Sequence, residues 1–134
     1  MALNPNLRES GDGTPLQQYF DELPSTLDGD IVGIWGLVGS GRRGYLLKDE
    51  DLREFLALAI GELLLHGARV IIPSNSRSVR WEETRRYGST PDEIAFNIVK
   101  EWNADGERDP EAWASLAFAR QDWLDSSENR IQPK

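Results

Sequence analysis

The chain has 134 residues, no cysteine and a single histidine, His66. The missing cysteine excludes disulfides and thiolate metal sites, and it fits a reducing compartment. With one histidine, a metal centre would need carboxylates and would suit a hard ion such as magnesium or calcium. No segment has the spacing of a calcium loop. Asp49-Glu50-Asp51 could crowd a cation, but placement at a helix start accounts for them, so neither metal nor cofactor is expected. Long apolar runs are missing as well. The longest, within residues 52–65, is broken by Arg53, Glu54, Gly61 and Glu62, which leaves no membrane span. Met1-Ala2-Leu3-Asn4-Pro5 carries neither a basic stretch nor an apolar run, so no signal peptide is expected and a soluble cytoplasmic protein is the default.

What is present argues for one folded domain. Hydrophobic residues make up 39% of the chain and tryptophan occurs five times, too much apolar surface for a disordered polymer, and the length suits a single core. The 23 acids outnumber the 15 bases, for a net charge of −8. That balance repels nucleic acid and anionic membrane and favours a basic partner. Residues 69–86 reverse the sign locally, with Arg69, Arg77, Arg80, Arg85 and Arg86 against Glu82 and Glu83.

Read in order, residues 1–13 are polar and rich in turn formers, as expected of a flexible N-terminus. A globular domain should span 14–124, followed by a polar tail over 125–134. Thr14-Pro15 reads as a helix start, and Leu16, Tyr19, Phe20 and Leu23 recur at helical spacing, predicting a helix over 15–22. Residues 31–37 are β-branched and aromatic and predict a strand. The glycines that follow predict a hairpin turn over 39–44, with a return strand over 44–47. Acids at 49–51 and the apolar stripe Leu52, Phe55, Leu56, Ala59, Ile60, Leu63 and Leu64 predict a helix over 49–66, closed by His66 and Gly67. Residues 69–73 predict a strand and 74–90 a long loop. Thr90-Pro91-Asp92-Glu93 is a helix start with a capping box, predicting a helix over 91–103. Asp109-Pro110 repeats the start signal, and the pattern from Trp113 to Trp123 fits a helix over 110–122 or a helix leading into a short strand, with the helix preferred. The sum is an α+β domain with a small, mostly antiparallel sheet covered by helices.

Catalytic signals are weak. Gly36 and Gly41 have the spacing of a phosphate loop, but Arg42 stands where the lysine belongs and Arg43 where the hydroxyl belongs, and no helix follows at once. The serines at 40, 74, 76 and 78 lie in loops with no assignable base. Trp81 sits among Arg77, Arg80, Arg85 and Arg86, a mixture found on nucleic-acid surfaces and in protein-binding hot spots. The acidity of the domain and Glu82-Glu83 argue against direct nucleic-acid contact.

Trp81, Tyr87-Gly88, Thr90-Pro91-Asp92-Glu93-Ile94, Glu101-Trp102, Gly106, Asp109-Pro110 and Phe118-Ala119 form a pattern. It resembles small bacterial immunity-type proteins of toxin–immunity loci. The helix ending in His66-Gly67-Ala68 fits the same resemblance, which covers roughly residues 45–120. Its motifs are helix caps and packing positions rather than active-site ones. The resemblance implies a non-catalytic inhibitor that occludes a cognate toxin, often a basic one. The acids Asp49, Glu50, Asp51 and Glu54 are then candidate contacts, with Asp92, Glu93, Trp81 and the expected hairpin tip at Arg42 and Arg43. Similar acidic folds occur among phage-encoded inhibitors of host defence complexes, such as anti-CRISPR proteins that mimic nucleic-acid phosphate, and this is the first alternative. A small carboxylate-dependent hydrolase is the second. The expected partner is another protein, with the chain itself a monomer or small homo-oligomer.

Overall fold

The computed structural model describes residues 3–131. Positions 1–2 of the expected N-terminal segment and 132–134 of the polar tail lie outside the described residues. The architecture is α+β, with a four-stranded antiparallel sheet. In chain order the strands are β1 (Val32–Gly33), β2 (Arg69–Pro73), β3 (Trp81–Glu83) and β4 (Ala117–Ala119). They stand side by side as β1-β4-β2-β3, so β4 fills the gap between β1 and β2. The helices are α1 (Leu16–Glu22), α2 (Ile34–Gly39), α3 (Asp49–Leu65), α4 (Pro91–Ala104) and the short α5 (Gln121–Leu124).

The central helix is α3. Leu52, Phe55, Leu56, Ala59, Ile60 and Leu63 recur at three- and four-residue steps, so all fall on one face, and all are buried. Each such side chain contributes roughly 1.5–3 kcal/mol on leaving water. Gly67 takes the left-handed conformation at φ 92, and the Ala68 amide donates to Leu63 O at 3.0 Å, closing the helix as its sequence predicts. At α4, Thr90 Oγ1 accepts from the Glu93 amide at 3.2 Å. Glu93 reaches one residue further back than a capping box requires, accepting from the Ser89 amide at 2.8 Å. The start of α3 has no side-chain cap, and Asp49, its first residue, sits at φ 54. The helices α3 and α4 run antiparallel: Leu64 shares a depression with Pro91 and Ile94 at one end, and Arg53 pairs with Glu107 at the other.

Strand alternation divides the sheet between two apolar layers. Val70 and Phe118 face α1, α3 and α4 in the main core. Ile71, Ala117 and Ala119 face the other way, with Ile31, Trp81 and Trp123, under a thin cover that includes Trp35 and Leu124.

Four expectations fail. Residues 31–37 are not one strand: only Val32–Gly33 pairs, and the chain then runs helically through Ile34–Gly39 into a π-helical turn, Ser40–Gly44. The hairpin and the 44–47 strand are therefore absent. Gly36, Gly39, Gly41 and Gly44 all avoid positive φ, so none serves as a hairpin glycine. Gly41 is instead required for close approach, because a Cβ there would lie 2.6 Å from Phe55 Cδ1 and 2.7 Å from Leu52 Cδ1. The helix predicted over 110–122 is also absent. Trp113 has φ 65, which no helix tolerates, and Ala117–Ala119 is an inner strand, buried throughout. Finally, the loop expected over 74–90 contains β3, which pairs with β2.

The flanking segments pack onto this body. Ser10 N donates to Gly44 O at 2.7 Å and Leu16 N to Leu7 O at 2.7 Å. Beyond α5, residues 129–131 run beside 78–81: Val79 and Arg130 form an antiparallel bridge, and Ile131 N donates to Ser78 O at 3.0 Å.

Candidate partner-binding surfaces

The nine residues singled out in the sequence occupy three places. Asp49, Glu50, Asp51 and Glu54 stand at the start of α3, near Arg42 and Arg43. Asp92 and Glu93 stand at the start of α4, which the antiparallel arrangement puts beside the end of α3. An α-helix rises 1.5 Å per residue, so the two acidic groups are separated by about 25 Å. Trp81 lies on β3, facing the second apolar layer, and is only 7% exposed.

Arg42 and Arg43 are not on a hairpin tip, and both are engaged within the chain. Arg42 donates to Asp109 Oδ1 at 2.5 Å and to Glu107 O at 2.8 Å, with its guanidinium 5.7 Å from the centre of the Trp102 ring. Arg43 reaches Asp109 Oδ2 at 3.3 Å. Arg53 donates to Glu107 at 2.5 Å. That hydrogen bond, with Asp49 and Glu50 nearby, raises the arginine's pKa further. Together the three arginines pin the 105–109 loop against the start of α3.

Just before α3 the chain exposes a leucine. Leu46 is 73% exposed with φ 55, a left-handed conformation that costs a non-glycine residue about 1–2 kcal/mol. Backbone bonds on either side hold it there: Tyr45 N donates to Ser40 O and Leu47 N to Gly41 O, both at 2.9 Å. Leu47 and the exposed Lys48 come next, then Asp49, Glu50 and Asp51, and none of these three acids has an ion-pair partner among the described residues. An apolar tip beside three unpaired acids and Lys48 forms a shoulder that is acidic on balance.

A second surface lies over the thin side of the sheet. Trp35 packs on Trp81 with ring centres 6.4 Å apart and on Trp113 at 5.3 Å. Trp113 is the outermost of the three, 66% exposed. Trp81 and Trp113 border an open depression of about 670 Å³, lined also by Trp123, Arg80 and Arg130. Sequence reasoning found Trp81 but missed Trp113, because the expected helix would have turned Trp113 inwards.

A third depression, of about 700 Å³, lies between α4 and the 105–116 segment. Its polar groups largely satisfy one another. Arg86 and Tyr87 both donate to Glu101, the tyrosine at 3.0 Å, and Arg108 donates to Asp105 at 2.7 Å. Burial, reinforced by the Glu101 carboxylate, pushes the Tyr87 hydroxyl up to about 12, so it is a fixed donor near neutral pH. Burial also pushes Tyr45 up to about 12, and its hydroxyl donates to Thr14 O at 2.9 Å. Both phenols therefore brace the fold. Among the described residues no cluster of three or more histidines or carboxylates could hold a metal ion, and no helix is long and apolar enough to cross a membrane.

No protein-family model, curated protein or solved structure matches this chain.

Proposed function

We propose that this chain is a non-catalytic binding protein of the immunity type, a stoichiometric inhibitor that docks on a basic partner protein in the cytoplasm. The supporting observation is the shoulder at the start of α3, where Leu46 stands uncovered beside the unpaired Asp49, Glu50 and Asp51. An apolar contact at the centre of an interface supplies affinity, and a charged rim supplies orientation and association rate. The chain's net charge of −8 steers a cationic partner in the same sense.

The test is capture of tagged protein from its native lysate at low and high salt, followed by kinetics with the protein recovered. The reading expects one basic protein, released by salt. Reversing Asp49, Glu50 and Asp51 to lysine should slow association at low salt, and Leu46→Ala should speed dissociation. Recovery of no basic partner would overturn the reading, and an on-rate untouched by the reversal would remove this shoulder from it.

A further inference from the structure

We infer that the indole face is a self-association surface, and that its occupant is the same face of a second copy of this chain. The inference does not rest on the inhibitor reading, which concerns the shoulder at α3.

The sheet has two apolar faces, and both need cover. The helices α1, α3 and α4 cover one of them. The other has a four-residue helix, α5, and a layer of indoles whose outermost member, Trp113, remains exposed. A tryptophan held with φ 65 on the outside of a domain is unfavourable twice, through its backbone and through its hydrated ring. Covering the ring removes the second cost.

Charge selects the occupant. Two chains of net charge −8 repel wherever their general surfaces meet. Around this depression the charged groups are Asp30, Glu128, Arg80 and Arg130, two acids and two bases that sum to zero. Neither arginine has an ion-pair partner among the described residues. In a two-fold contact residues at the axis meet their own copies, and away from it residue i of one copy meets residue j of the other while j meets i. The arginines of one copy can therefore face the acids of the next, around a centre of stacked indoles. Enrichment in aromatic residues at the centre is a feature of such interfaces.

Sedimentation of the intact chain over a range of concentrations tests the inference, with Trp113→Gly and Arg80→Glu beside it. Glycine is compatible with the left-handed position, so Trp113→Gly removes the ring and keeps the fold, which circular dichroism verifies. The expected result is a concentration-dependent dimer, weakened about thirtyfold or more by Trp113→Gly, the loss typical of a central tryptophan. Arg80→Glu should weaken it as well. A wild-type chain that stays monomeric would overturn the inference, and so would a dimer indifferent to Trp113→Gly. Tryptophan fluorescence unmoved by protein concentration but shifted by a single-stranded oligonucleotide would also overturn it, assigning the face to nucleic acid.

Discussion

Asn129 pairs with the backbone of Trp81 as a neighbouring strand would. The Trp81 amide donates to Asn129 Oδ1 at 2.8 Å, and Asn129 Nδ2 donates back to Trp81 O at 3.1 Å. The same Nδ2 also donates to Leu124 O at 2.9 Å. Asn129 is 2% exposed. Since β3 is an edge strand, one side-chain amide thereby closes part of a sheet edge that would otherwise present unpaired backbone groups.

Removing that amide should be costly. Asn129→Ala leaves the Trp81 amide and carbonyl buried without partners, and each such group costs about 1–3 kcal/mol. We expect a loss of about 3 kcal/mol in urea unfolding, with faster exchange of the β3 amides. A change within experimental error would mean that water replaces the side chain.

Two glycines in the helical segment after β1 should respond with opposite sign. At Gly41 a Cβ meets Phe55 and Leu52 at 2.6 and 2.7 Å, whereas at Gly36 it meets nothing within 4 Å. Gly41→Ala should destabilise by about 1–3 kcal/mol through overpacking. Gly36→Ala should stabilise by about 0.5–1 kcal/mol, the helical preference for alanine. Thermal melts of the two variants test this, and a loss at both positions would contradict the helix.

Leu46 offers a trade between stability and binding. Leu46→Gly relieves the left-handed strain at φ 55 and should leave the fold equally stable or more stable by about 1 kcal/mol. It should also weaken capture of the basic partner. Equal loss of folding and binding would place Leu46 in the structure rather than in an interface.

Alkali should unfold the protein through its buried phenols. Tyr45 and Tyr87 are raised to about 12 in the fold from an ordinary 10. Between those values the unfolded chain has released protons that the folded chain retains, so stability falls as pH rises. Their contribution is intact below about pH 10 and disappears as pH passes 12. Tyr87→Phe loses the Glu101 bond at neutral pH but should flatten the alkaline limb of the stability profile. An unchanged limb would remove Tyr87 from the transition.

The helices α3 and α4 were legible because periodicity and caps agree: the stripe from Leu52 to Leu63 ends at Gly67, and Thr90-Pro91 opens the second. The segment after β1 misled because two local signals opposed the periodic one. Ile34, Leu37, Val38 and Gly41 have helical spacing, but Ile, Val and Trp favour strands, and a buried glycine registers as apolar only once Phe55 is known to lie on it. Ala117-Phe118-Ala119 is a strand because of its neighbours, since alanine has little strand preference of its own. Within the candidate surfaces, the acids of α3 were read from the chain. The exposure of Leu46 and Trp113 depends on long-range packing that no local pattern encodes.

The strand order constrains when the sheet can form. β1 and β2 flank β4 and do not pair with each other, so neither has its long-range partner until Ala117–Ala119 is available. On an elongating ribosome α3 can form and begin to pack while the sheet still lacks its middle. Completion waits for residue 119, and for residue 129 to close the edge. A nascent chain arrested before Ala117 would hold helices and a hairpin of β2 and β3, with the backbone edge of β2 that β4 later pairs left open.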